Sequence, residues 1–230
     1  YAWNSGPLTA DITVSPTATT QYIVSVTDIW SCQAADTVMV NVFQVFANAG
    51  TDVDICNGAS MLLTADGGTS YAWSTGQNTD AISVSPTSSS NYIVTVTGVN
   101  NCTDVDTVSV IVHALPNASA GSDQDVCIGN SVTLTATGGI DYEWNGGQTT
   151  AAITVSPVAD AEYIVSVTDA FGCENSDTVN VVVHPLPAAN AGSDANICFG
   201  ESTTLSASGG TSYAWNSGPL TADITVSPTA

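Results

Sequence analysis

The chain has 230 residues, with no Lys and no Arg against 21 Asp plus Glu, a formal charge of −21. A chain without cationic side chains cannot neutralise phosphates. That excludes nucleic acid and an anionic bilayer surface as partners, and removes the clamps on which phosphoryl- and carboxylate-handling enzymes rely. Only 9 % of residues are charged while 43 % are hydrophobic, so the chain can bury a core and is not a disordered polyanion.

No run of apolar residues reaches the roughly 18 that a spanning helix needs. No basic segment followed by an apolar one marks a signal peptide, and the opening at Tyr1 is expected to be the middle of a longer chain. Self-similarity organises the sequence. A Tyr-x-Trp pattern recurs at Tyr1/Trp3, Tyr71/Trp73, Tyr142/Trp144 and Tyr213/Trp215, a period of 70 or 71. Residues 213–230 repeat residues 1–18 without a change, an offset of 212 that equals three periods. The expected organisation is therefore the C-terminal part of a module at 1–46, complete modules at 48–116 and 117–187, and the N-terminal part of a module at 188–230. Neither part carries a full strand set.

Within each copy the apolar residues alternate with period two, which predicts strands. In chain order within 117–187, Val132, Leu134 and Ala136 share one face, then Tyr163, Val165 and Val167, then Val179, Val181 and Val183. Gly138-Gly139, Ser156-Pro157 and Phe171-Gly172 punctuate them. No segment has a helical period with caps. The predicted fold class is all-β, with tandem Ig-like β-sandwich modules of about 70 residues in a rod-like array.

Five stretches carry a family resemblance: Ile55-Cys56-x-Gly58, Tyr71-x-Trp73, Ser85-Pro86, Tyr92-Ile93-Val94-x-Val96-Thr97, and Asn101-Cys102 through Asp106-Thr107-Val108, with their counterparts in the other copies. With them the chain resembles the Ig-like and PKD-like modules of giant Bacteroidetes surface proteins, including flavobacterial gliding adhesins and other type IX-secreted repeat proteins. The resemblance spans the whole chain. The Trp-Asp-Phe-Gly-Asp-Gly stretch of PKD modules is absent after Trp73 and Trp144, so the Ig-like branch fits better. Trp73, Trp144 and Trp215 are expected to anchor the core rather than to stack sugars, and Tyr22, Tyr92 and Tyr163 to form tyrosine corners.

The six cysteines fall at Cys32, Cys56, Cys102, Cys127, Cys173 and Cys198, two per module, with no Cys-x-x-Cys. That spacing indicates disulfides of a secreted protein rather than zinc. Bridges within modules would join Cys56–Cys102 and Cys127–Cys173. An Ig topology, however, puts the two cysteines of a module at opposite ends, roughly 17–20 Å apart, whereas bridged Cα atoms lie within about 7 Å. A bridge across modules, Cys56–Cys173, is the alternative. Both readings stand at this level.

The junctions at 42–46, 113–116 and 184–187 are short and apolar, with His113 and His184 in equivalent linker positions. Asp52, Asp123 and Asp194 recur near module starts. They are candidate calcium ligands, against the plainer reading of a solvated acidic face; no other cofactor is expected. Asp-Thr-Val occurs once per module, at Thr37, Thr107 and Thr178. It resembles the Bacteroidetes O-glycosylation sequon, and alternation turns each Thr outward.

No nucleophile, base and orienting group can be assembled, so an enzyme is not expected. The leading expectation is the structural stalk or filament of a large cell-surface or extracellular adhesin on the bacterial outer surface. Its partners would be neighbouring modules, with surface glycans or other cells reached through a distal domain. The alternatives are multivalent glycan-binding modules, or spacer modules of a secreted hydrolase.

Overall fold

The computed structural model describes residues 1–216 and 218–227. The chain divides at Leu115/Pro116 into two compact units.

Unit 1 contains nine strands: β1 (Ala2–Trp3), β2 (Thr20–Thr27), β3 (Gln33–Val40), β4 (Val53–Cys56), β5 (Met61–Thr64), β6 (Ser70–Trp73), β7 (Ala81–Val84), β8 (Ser90–Thr97) and β9 (Thr103–His113). The strands from β4 onward make two sheets. One is four-stranded, in the order β4-β9-β8-β6; the other is the pair β5-β7. All their pairings are antiparallel except β4 with β9, which is parallel. Period two decides which side chains point inward. Val94 and Val96 of β8 and Val108 and Val110 of β9 are at most 1 % exposed, and they meet Trp73, Leu63, Ile82 and Val84 in one core. Val45 and Ala47 pack against the same core, so it reaches back into the apolar junction before residue 48. A third sheet, β1-β2-β3, is formed by residues 2–40.

Unit 2 repeats the design with β10 (Gln124–Cys127), β11 (Val132–Thr135), β12 (Asp141–Trp144), β13 (Ala152–Val155), β14 (Ala161–Thr168) and β15 (Glu174–His184). The sheets are β10-β15-β14-β12 and β11-β13. The registers match those of unit 1: Trp144 lies opposite Val165 as Trp73 lies opposite Val94, and Cys127 opposite His184 as Cys56 opposite His113. Val165, Val167, Val179 and Val181 are again at most 1 % exposed. Two further strands, β16 (Thr203–Ser206) and β17 (Asp223–Val226), pair with each other. The architecture is all-β and Ig-like, and the strand periodicity of the sequence is found where it was expected.

The Gly-Gly pairs are required by close approach rather than by turning alone. Gly67 and Gly138 sit at φ +100° and +109°, and a Cβ there would lie 1.8 and 2.1 Å from the carbonyl oxygens of Phe46 and Asn117. The adjacent Gly68 and Gly139 face Thr97 and Thr168 carbonyls at 2.6 and 2.4 Å in the same way. Here the segment entering each sandwich crosses the loop that leads into β6 or β12.

Candidate functional site

The residues that look most functional in the sequence are drawn into structure. Trp73 and Trp144 are 3 % and 1 % exposed. Their indole N–H groups donate to the carbonyls of Thr79 and Thr150 at 3.0 Å. The rings are core anchors with satisfied polar tips and offer no face to a sugar. The hydroxyl-to-backbone bond expected of Tyr92 and Tyr163 belongs instead to the tyrosines of the Tyr-x-Trp pattern. Tyr71 donates to Gly68 O at 3.2 Å, Tyr142 to Gly139 O at 2.8 Å and Tyr213 to Gly210 O at 2.6 Å. The sequence signal that could have found them is the Gly-Gly pair preceding each Tyr.

The recurring acids hold the backbone that opens each sandwich against its last strand. Asp52 accepts the N–H of Ser109 and Asp123 that of Asn180, both at 2.8 Å. In the opposite direction, Asp106 accepts from Ala49 at 2.8 Å and Asp177 from Ala120 at 2.9 Å. Asp104 adds a bond from Ala47 at 2.9 Å, a place taken in unit 2 by Asn175 donating to Pro116 O at 3.0 Å. These N–H donors lower the Asp106 and Asp177 carboxyls below the ordinary carboxylate range, Ala49 with help from Thr107 and Ala120 with help from Thr178. Calcium takes six to eight oxygens. Asp52 and Asp123 each bring one carboxylate, an oxygen of which accepts a backbone N–H. Among the described residues no three His, Cys, Asp or Glu side chains converge as a metal site. Asp194, at the equivalent position, lines a groove in unit 2.

His113 and His184 are the last residues of β9 and β15 rather than free linker residues. Each Nε2 lies 2.6 Å from a carboxylate on the parallel neighbour strand, Asp54 for His113 and Asp125 for His184.

The cysteine geometry corrects the within-module pairings. Cys56 lies opposite His113 at one end of β9, whereas Cys102 precedes Thr103 at the other end of that 11-residue strand. At ~3.3 Å per residue the two are about 35 Å apart, far beyond the reach of a disulfide. Cys127 and Cys173 are separated in the same way by β15. The separation exceeds the sequence expectation because the last strand is twice as long as a typical one. Cys56 and Cys173 are disulfide-bonded, while Cys32, Cys102, Cys127 and Cys198 carry free thiols.

Thr107 and Thr178 are exposed, and the valines that follow them, Val108 and Val179, are 1 % and 0 % exposed, as alternation requires. Thr37 is exposed too, but Val38 beside it is 51 % exposed because no second sheet covers β3.

No known family description and no curated protein matches the sequence. Solved structures with a similar fold include the insect immune protein hemolin, 12 % identical over 80 % of this chain and 67 % of that one, TM-score 0.33. The eight N-terminal Ig domains of Down Syndrome Cell Adhesion Molecule are 12 % identical, over 85 % of this chain and 31 % of that one, TM-score 0.36. A Ca2+-stabilized adhesin of an Antarctic ice-binding bacterium is 12 % identical, over 90 % of this chain and 80 % of that one, TM-score 0.34.

Proposed function

We propose that this chain is a structural repeat region, the stalk of a large extracellular adhesin, and that it performs no catalysis. One observation carries the reading. The same strand set is built twice with the same registers, and in both copies the conspicuous Trp and Asp side chains are spent on the sandwich itself. A repeated scaffold whose distinctive residues serve its own rigidity suits a spacer. The modules are taken as 48–116 and 117–187, with parts of modules at 1–46 and 188–230. The disulfide-bonded cysteines support an oxidising, extracellular location. The motif resemblance to Bacteroidetes surface proteins supports the bacterial outer surface, with type IX secretion and gliding as its finer form.

In this reading the disulfides join successive modules, first cysteine of one to second cysteine of the next, as Cys56–Cys173. Support comes from the span of β9 and β15, which sets the two cysteines of a module about 35 Å apart. Calcium at Asp52, Asp123 and Asp194 is not needed by this account. The outward Thr37, Thr107 and Thr178 are the positions for O-linked sugar; an intact mass equal to the bare sequence, measured on protein from the native source, would remove that assignment. The function itself is tested on a glycan array. The stalk reading predicts no binding by the purified chain, and selective binding would overturn it in favour of multivalent recognition.

A further inference from the structure

We propose that the disulfide makes this chain a load-bearing tether, in which the covalent route for tension bypasses most of both sandwiches. The inference rests on the stalk reading and its Cys56–Cys173 pairing, and gives that bridge a mechanical function.

Connectivity defines the route. Pulled from its ends, a chain without crosslinks carries force through every residue, and each sandwich resists with its own hydrogen bonds and packing. With Cys56 joined to Cys173, tension runs from Tyr1 to Cys56, through the bridge, and on from Cys173. Residues 57–172 become a closed loop off that line. The loop holds Leu63, Trp73 and Val94 of one core and Leu134, Trp144 and Val165 of the other. Of the strands in the two sandwiches, only β4 and β15 stay on the line.

Those two strands are already extended. Cys56 is the last residue of β4, and Cys173 directly precedes Glu174, the first residue of β15. From Cys173 the chain therefore continues as one 11-residue strand to His184. A strand rises about 3.3 Å per residue, against a limit of about 3.6 Å for a fully stretched chain. Pulling β15 from both ends gains almost no length, so tension has no distance over which to strip it from β10 and β14.

Both complete modules place their cysteines alike. Cys56 and Cys127 end β4 and β10, and Cys102 and Cys173 directly precede β9 and β15. A bridge from the first position of one module to the second of the next leaves an opening strand and a long last strand on the line. Everything between them falls in the loop. Forced unfolding is governed by the unfolding rate, which tension raises. A folded loop that bears no tension keeps its unloaded rate, while covalent bonds carry the force.

The test pulls the whole chain at constant force by handles fused to its ends, with the free thiols alkylated, and then adds a phosphine reductant. Reduction should release about 400 Å of further extension, the reach of residues 57–172. That length should arrive with the dwell times of a Cys56→Ser/Cys173→Ser chain at the same force, because the sandwiches are still folded when the bridge opens. Release as immediate slack would leave the pairing intact and overturn the bypass. No release, or one of about 150 Å, the reach of a loop closed inside one module, would overturn the pairing and the proposal with it. Selective glycan binding would remove the stalk reading and leave these lengths unchanged.

Discussion

The carboxylate of Asp106 accepts the backbone N–H of Ala49, 57 residues earlier in the chain, at 2.8 Å, and Asp177 stands in the same relation to Ala120 at 2.9 Å. Ala49 and Ala120 are buried, 2 % and 1 % exposed, so each bond fixes a core residue through its own backbone. The acid of the Asp-Thr-Val pattern is thus a latch between the opening segment and the last strand.

Replacing Asp106 or Asp177 with Ala should lower stability by about 1.5–3 kcal/mol, the scale of a hydrogen bond to a charged group, read by denaturant unfolding. The same latches predict acid sensitivity. The folded-state pKa of both groups is lowered, so their contribution is present above the unfolded value and is lost as pH falls through the folded one. Melting temperature should hold from neutral pH to about 5 and fall below about 4. An Asp106→Asn/Asp177→Asn chain should show a flatter acid limb.

Gly138→Ala should be among the most damaging single changes. A Cβ there meets Asn117 O at 2.1 Å from a φ of +109°, so clash and backbone strain add, and a loss of about 3 kcal/mol or more follows. Gly147→Ala is the contrasting variant: its φ is +82° with nothing within 4 Å, so it bears the strain alone and should cost about 1 kcal/mol. Equal losses by denaturant unfolding would refute the close-approach argument.

Calcium should leave the protein unmoved. Melting temperatures in excess calcium and in chelator should agree, because Asp52 and Asp123 each present one carboxylate and that carboxylate holds an N–H. A specific rise with calcium but not magnesium would contradict this.

Much of the sandwich was legible in the sequence. Period two picked out Val165, Val167, Val179 and Val181, all buried, and the spacing of Tyr-x-Trp placed the core tryptophans. The remainder depended on which segments meet. Ala2–Trp3 and Ala214–Trp215 share both side chains, yet only the first is strand, because a strand exists only beside a partner. The parallel pairing of β4 with β9 was equally hidden. It set the distance between the cysteines of a module, gave His113 its Asp54 neighbour, and brought the Asp52 and Asp123 carboxylates to backbone N–H groups of the last strand.

Peptide mapping of the unreduced protein should recover Cys56 linked to Cys173. Recovery of Cys56 with Cys102, or of Cys127 with Cys173, would require β9 or β15 to be broken in solution and would contradict the registers described here.

The stalk reading meets its most direct test in small-angle X-ray scattering of the dilute, thiol-alkylated chain. A compact protein of 230 residues has a radius of gyration of about 17 Å. The account predicts a value well above that, with a pair-distance distribution that peaks early and trails to long distances. A symmetric distribution with a radius near the compact value would contradict it.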